Sequence, residues 1–212
     1  MGISQLLKAP KGYERYLRNA ALAMVIALVI GMVFGATMVN HLDFYQQQEL
    51  EEGLNYYLQI SDEGGSISKA KIATNSLNTN GMFVFYTTIC GLAVVGLPFV
   101  WGLVFIRGVV LGFTVGYLVQ RLAWRGLVFC LATLFPFAAL LIPVTIFSGA
   151  HSVAFSWLMI TKVFGGGDRT PPPILGYIFV QFTAFVGMFI LAMLEAAIVP
   201  WLLERLLPWV IA

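Results

Sequence analysis

Charge is scarce in this chain. Asp, Glu, Lys and Arg make up 10% of its 212 residues, where a soluble domain carries about 25%. Ten acids and twelve bases cannot clothe a water-soluble fold of this size. A disordered chain is excluded as well, because 59% of the residues are hydrophobic. The net charge of +2 gives nucleic acid nothing to hold, so no nucleic-acid partner is expected. Cysteine is limited to Cys90 and Cys130, both inside apolar runs. That excludes a disulfide-stapled module and leaves two small buried hydrophobes. His41 and His151 form no HExxH pair, so a helical zinc protease is excluded. There is no G-x-S-x-G elbow, and Ser152 directly follows His151, where neighbours on a helix point apart. GGGDRT at 165–170 lacks the G-K-[ST] of a phosphate loop, and prolines follow where a helix should start. No catalytic residue, metal or cofactor is expected, and the chain reads as a non-enzyme.

Apolar length is what the sequence has in abundance. Its mean hydropathy is +0.87. It reads as one integral membrane domain, an all-α polytopic bundle of transmembrane helices. Residues 1–19 are a basic cytoplasmic start, with Lys8, Lys11, Arg15 and Arg18 against Glu14. Residues 20–40 hold a charge-free first transmembrane helix, read as an uncleaved span rather than a signal peptide. The bases before it place the N-terminus in the cytoplasm.

Residues 41–80 form an acidic extracytoplasmic loop, six acids against Lys69 and Lys71. Asp43 is placed to cap a helix over 44–60. Residues 81–200 hold the remaining transmembrane bundle, with a second helix at 80–100 and a third at about 103–121. Residues 126–164 are apolar but interrupted by Pro136, Pro143 and Gly149. As one helix they would be about 58 Å long, too much for a bilayer, so the stretch must be kinked, broken or folded back. GGGDRTPPP at 165–173 is a loop, and 201–212 an interfacial tail with Trp201 and Trp209. The count is about five passages, with the side of the C-terminus open.

Gly108, Gly112 and Gly116 recur every four residues, and Gly31 and Gly35 make a shorter stripe. Such stripes let helix backbones approach closely in lipid. They serve either packing within one subunit or a subunit interface, so a homo-oligomer is one expectation. Arg107 and Glu195 lie inside apolar helices, where a charge costs about 2.5–3.5 kcal/mol. They are expected to pair if the third and last helices pack together.

Four blocks resemble the stage II sporulation protein M family: GMVFGATMVN at 31–40, GLPFVWGLVFIRGVVLGFTVGYLVQ at 96–120, FPFAALLIPV at 135–144 and SVAFSWLMI at 152–160. The resemblance spans nearly the whole chain. It implies a polytopic protein of the cell membrane and sporulation septum that is required for engulfment. Its partners would be the peptidoglycan hydrolases called sporulation proteins IID and IIP, besides membrane lipids. The role implied is a scaffold that recruits and holds this wall-degrading pair. The acidic loop, through Glu49, Glu51 and Glu52, is where such contacts would fall. Distant members carry a histidine and a glutamate between the two prolines. Phe137 and Leu141 stand at those positions here, so no chemistry attached to them carries over.

A transporter or permease component is the rival reading. Proline-broken helices at membrane depth build substrate sites. Gln181, Thr183, Thr114 and Glu195 are the few side chains to bind a solute, and a proton-coupled channel would need Glu195 to face water.

Overall fold

The computed structural model describes residues 13–43, 45–50, 52, 69–93, 96–164 and 174–211. Among them the chain is helical, with no strands. Five long helices form the bundle: α1 (Tyr13–Met38), α2 (Lys69–Leu92), α3 (Leu97–Thr133), α4 (Phe135–Phe164) and α5 (Ile174–Ile211). A 3-10 turn at Val39–His41 ends α1. Four of the five (all but α2) are long and apolar enough to cross a membrane. The 24 residues of α2 reach about 36 Å, enough to cross, yet its first half carries Thr74, Asn75, Ser76, Asn78, Thr79 and Asn80.

Contacts fix the helix directions. Gly31 and Gly35 rest on Val109, Gly116 rests on Ala36, and the residue numbers rise together, so α1 and α3 are parallel. Thr87 meets Ser148, and Ser156 bonds the Ala93 carbonyl, so α2 and α4 are parallel. Tyr177 reaches Thr88 while Glu195 reaches Ser76, so α5 runs against α2. Tyr13, at the start of α1, lies 6.5 Å from His151 towards the end of α4. The chain therefore passes through the bundle five times, and α1 begins at the end opposite to where α5 finishes.

An apolar centre holds the helices together. Met24, Val100, Val104 and Met188 are wholly buried there, with Leu28, Val84, Ala184 and Leu191 around them. Phe137 is part of this core and Leu141 packs against it. Side chains on the other helix faces, such as Val33, Ile106 and Phe179, are exposed and would meet lipid.

Several expected boundaries move. The first helix starts at Tyr13 and so includes Arg15 and Arg18. The last twelve residues assigned to the loop are the opening turns of α2. The third helix does not stop at 121. It breaks at Ala123 (φ 47, ψ −125) and continues to Thr133. A Cβ on Gly126 would stand 2.1 Å from the Leu118 carbonyl oxygen. Residues eight apart in a straight helix are about 12 Å apart, so the chain folds back on itself here. The proline-broken stretch divides at Leu134, ahead of Pro136, whereas Pro143 is taken inside α4. Residues 201–211 are not a separate tail but the last turns of α5. Residues 45–50 are helical after Asp43, whose amide donates to the Gln46 side chain as in a capping box. The glycine- and proline-rich 165–173 loop lies outside the described residues.

Candidate functional site

Two polar networks occupy the interior of this lipid-facing bundle, and α2 runs along both. Its Ser76, Asn80 and Thr87 point inward and are buried. The spacing of four and seven residues puts them on one helix face.

The first network joins the two intramembrane charges. Arg107 donates through Nη2 to the Asn80 carbonyl oxygen. The Asn80 amide donates to Ser76 Oγ at 3.0 Å, and Ser76 Oγ donates to Glu195 Oε2. The guanidinium also lies over the Phe83 ring, 4.4 Å from its centroid. The direct Arg107–Glu195 pair expected from the sequence gives way to a relay through α2, of which the two charges are the ends. The physical reason is that α2 passes between their helices and offers an amide and a hydroxyl at one-turn spacing. Each charge-assisted bond offsets desolvation that a lone charge would suffer.

The second network is neutral. Gln181 is its hub: its amide donates to Ser152 Oγ at 2.7 Å and to the Ser148 carbonyl at 3.1 Å, and its carbonyl oxygen accepts from Ser148 Oγ at 2.8 Å. Thr87 Oγ1 lies 2.9 Å from Ser148 Oγ, and Tyr177 OH lies 3.1 Å from Ser152 Oγ while donating to the Thr88 carbonyl at 3.1 Å. Gly91 allows that approach, since a Cβ there would meet the Tyr177 oxygen at 2.2 Å. Phe155 stacks on the Tyr177 ring at 4.3 Å. Hydroxyls and one amide, mutually satisfied, tie α2, α4 and α5 together. Among the described residues Thr145 Oγ1, three residues before Ser148 on α4, and Tyr117 OH on α3 are buried without a partner.

Between helices α1 and α3 the contact is backbone on backbone. A Cβ on Gly112 would lie 1.9 Å from the Met32 carbonyl oxygen, and on Gly108 2.3 Å from that of Leu28. Gly31 and Gly35 face the Phe105 and Val109 carbonyls in the same way. Both stripes are used within one chain, and Gly116 closes the row against Ala36 and Val39. Approach this close permits Cα–H···O contacts along the seam.

At the end of the bundle where α1 finishes, Glu49 and Glu52 are exposed. Glu51 lies outside the described residues. Thr114 and Thr183 bond their own helix carbonyls and join neither network. Among the described residues no group of three His, Cys, Asp or Glu is placed to hold a metal.

The sequence reading missed Ser76, Asn80, Thr87, Ser152 and Tyr177. One signal was present: Ser148, Ser152 and Ser156 recur at four-residue spacing, a polar stripe on an apolar helix.

Residues 24–200 match the family described as stage II sporulation protein M. That is most of the chain. The protein belongs to the stage II sporulation protein M family. No curated protein and no solved structure matches it. The matched range takes in all of the α1–α3 glycine seam and both polar networks. Two of the blocks that resemble the family, 31–40 and 96–120, are the two sides of that seam. As a family member with several apolar helices, it is a multi-pass, sporulation-related membrane protein.

Proposed function

We propose that this chain is a membrane scaffold of septal engulfment, which recruits and holds the peptidoglycan-degrading sporulation proteins IID and IIP. It does so without chemistry of its own. The family match is the observation that carries this reading. A second observation favours a structural role over transport. The polar side chains inside the bundle bond chiefly to one another: Gln181 alone spends its amide and carbonyl on Ser148 and Ser152. A solute site would hold such groups ready for its ligand.

The reading includes an orientation. Arg15 and Arg18 stand at the end where α1 begins, and Lys8 and Lys11 precede them in sequence. Asp43, Glu49 and Glu52 stand at the opposite end. By the positive-inside rule α1 starts in the cytoplasm, and the acidic segment faces the wall, where hydrolases work. With five passages the C-terminus is on the wall side too.

The test is a crosslinking pull-down from sporulating cells, comparing the native chain with one whose residues 44–68 are a neutral linker of equal length. The native chain is expected to recover both hydrolases and the swapped chain to lose them. Recovery by both chains would place docking elsewhere. Robust solute flux into vesicles holding the purified protein, with no hydrolase recovered, would favour the transporter instead.

A further inference from the structure

We propose that the outward face of α2 is a seam on which α2 of a second copy of this chain packs in parallel. Asn75, Asn78, Met82, Phe85, Ile89 and Leu92 recur at alternating spacings of three and four residues, and all six are exposed. That alternation is the mark of a helix–helix seam.

Depth makes this face unusual. Asn78 precedes by two residues the Asn80 that holds Arg107. The next residue on α3, Gly108, rests on Leu28, in the middle of the apolar run of α1. Asn78 is therefore at hydrocarbon depth, and Asn75 about one turn nearer the surface. Neither amide has a hydrogen-bond partner within the described residues. Lipid offers none, and polar side chains at such depth turn to protein.

The occupant follows from the chemistry of the face. An amide both donates and accepts, so the same residue on a two-fold-related helix completes it. Asparagine at a seam position fixes register and favours two strands. At depth the face has no charged group that would call for an oppositely charged partner. Beside Asn78 a shallow groove floored by Gly81 and walled by Phe85 and Phe185 leaves room for a side chain from the facing helix. The glycine stripes are spent between α1 and α3, so they are not what joins two copies.

The test uses the full chain in bilayer vesicles, with Cys90 and Cys130 replaced by alanine. Met82→Cys, exposed on the same face and leaving both amides in place, is oxidised beside Val33→Cys, a lipid-facing control on α1. The expected product of Met82→Cys is a species of twice the 23.3 kDa chain mass, at least several-fold more abundant than from the control. In parallel, single-molecule photobleaching counts copies per vesicle for the native chain and for Asn75→Leu with Asn78→Leu. Leucine suits lipid, so the variant is expected to fold, yet its dimer fraction should fall about tenfold. Equal crosslinking at Val33, an adduct of any other mass, or an unchanged dimer fraction in the leucine variant would each overturn the seam.

Discussion

Gly112 and Met32 are in backbone contact: a Cβ on the glycine would overlap the methionine carbonyl at 1.9 Å. Nothing flexible stands in the way that could yield, because the obstacle is a helix backbone. Gly112→Ala is expected to force α1 and α3 apart and to cost about 1–3 kcal/mol. Gly102 is on the same helix but has nothing within 4 Å of its missing Cβ. Gly102→Ala should therefore be neutral or stabilise by about 0.5–1 kcal/mol, the helical preference of alanine. Reversible unfolding in mixed micelles would compare the two. Equal effects would show that the close approach is not what matters.

The glycine seam was legible because small residues at four-residue spacing have one main use in lipid. The polytopic helical class was legible for a related reason, since apolar length marks spans, and four of the five helices are long and apolar enough to cross. What could not be read was the inside of α2. Ser76, Asn80 and Thr87 are ordinary polar residues in a stretch that reads as loop followed by helix. Only the packing of α4 and α5 around α2 turns them inward. The fold-back at Ala123 was hidden too, because L-A-W-R carries neither glycine nor proline to announce a turn. Proline misled in the other direction, as α4 continues through Pro143.

Ala123 has φ 47 and ψ −125, angles of the kind that the first central position of a type II′ turn takes. Glycine occupies this region freely, and a Cβ is strained there. Ala123→Gly should stabilise the protein by about 1 kcal/mol, without changing its activity in cells. Ala123→Val should destabilise it, since a β-branched side chain is worse still. A midpoint shift of the same sign in both variants would refute the turn geometry.

Gln181 is the hub of the neutral network, and its loss strands several hydroxyls at once. Gln181→Leu keeps the volume roughly but leaves Ser148 and Ser152 without that partner. The expected cost is about 1–3 kcal/mol. Replacing Ser148 and Ser152 by alanine in the same chain should recover part of it, because there is then less left unsatisfied. Gly91→Ala attacks the network from α2 by driving into the Tyr177 oxygen, and Tyr177→Phe should relieve that clash in part. Gly91→Ala being harmless in the native background would contradict the packing of Tyr177 against α2.

Arg107 and Glu195 communicate through Asn80 and Ser76, which sets what their joint replacement should do. Asn80→Leu removes the Arg107–Asn80 and Asn80–Ser76 bonds and takes the Asn80 acceptor from the guanidinium, while Glu195 keeps its bond from Ser76. A cost of about 3 kcal/mol is expected. Asn80→Asp should be milder, because a carboxylate there receives the Arg107 donor directly as an ion pair. The relay itself is tested by a double-mutant cycle of Arg107→Gln and Glu195→Gln, measured by unfolding in mixed micelles. In the native background the two are expected to couple by about 0.5–1 kcal/mol, since they share one network. In the Asn80→Leu background the coupling should vanish, because the ends are no longer joined. Coupling that survives there would mean the two charges sense each other across space, and strict additivity in the native background would mean that the relay transmits nothing.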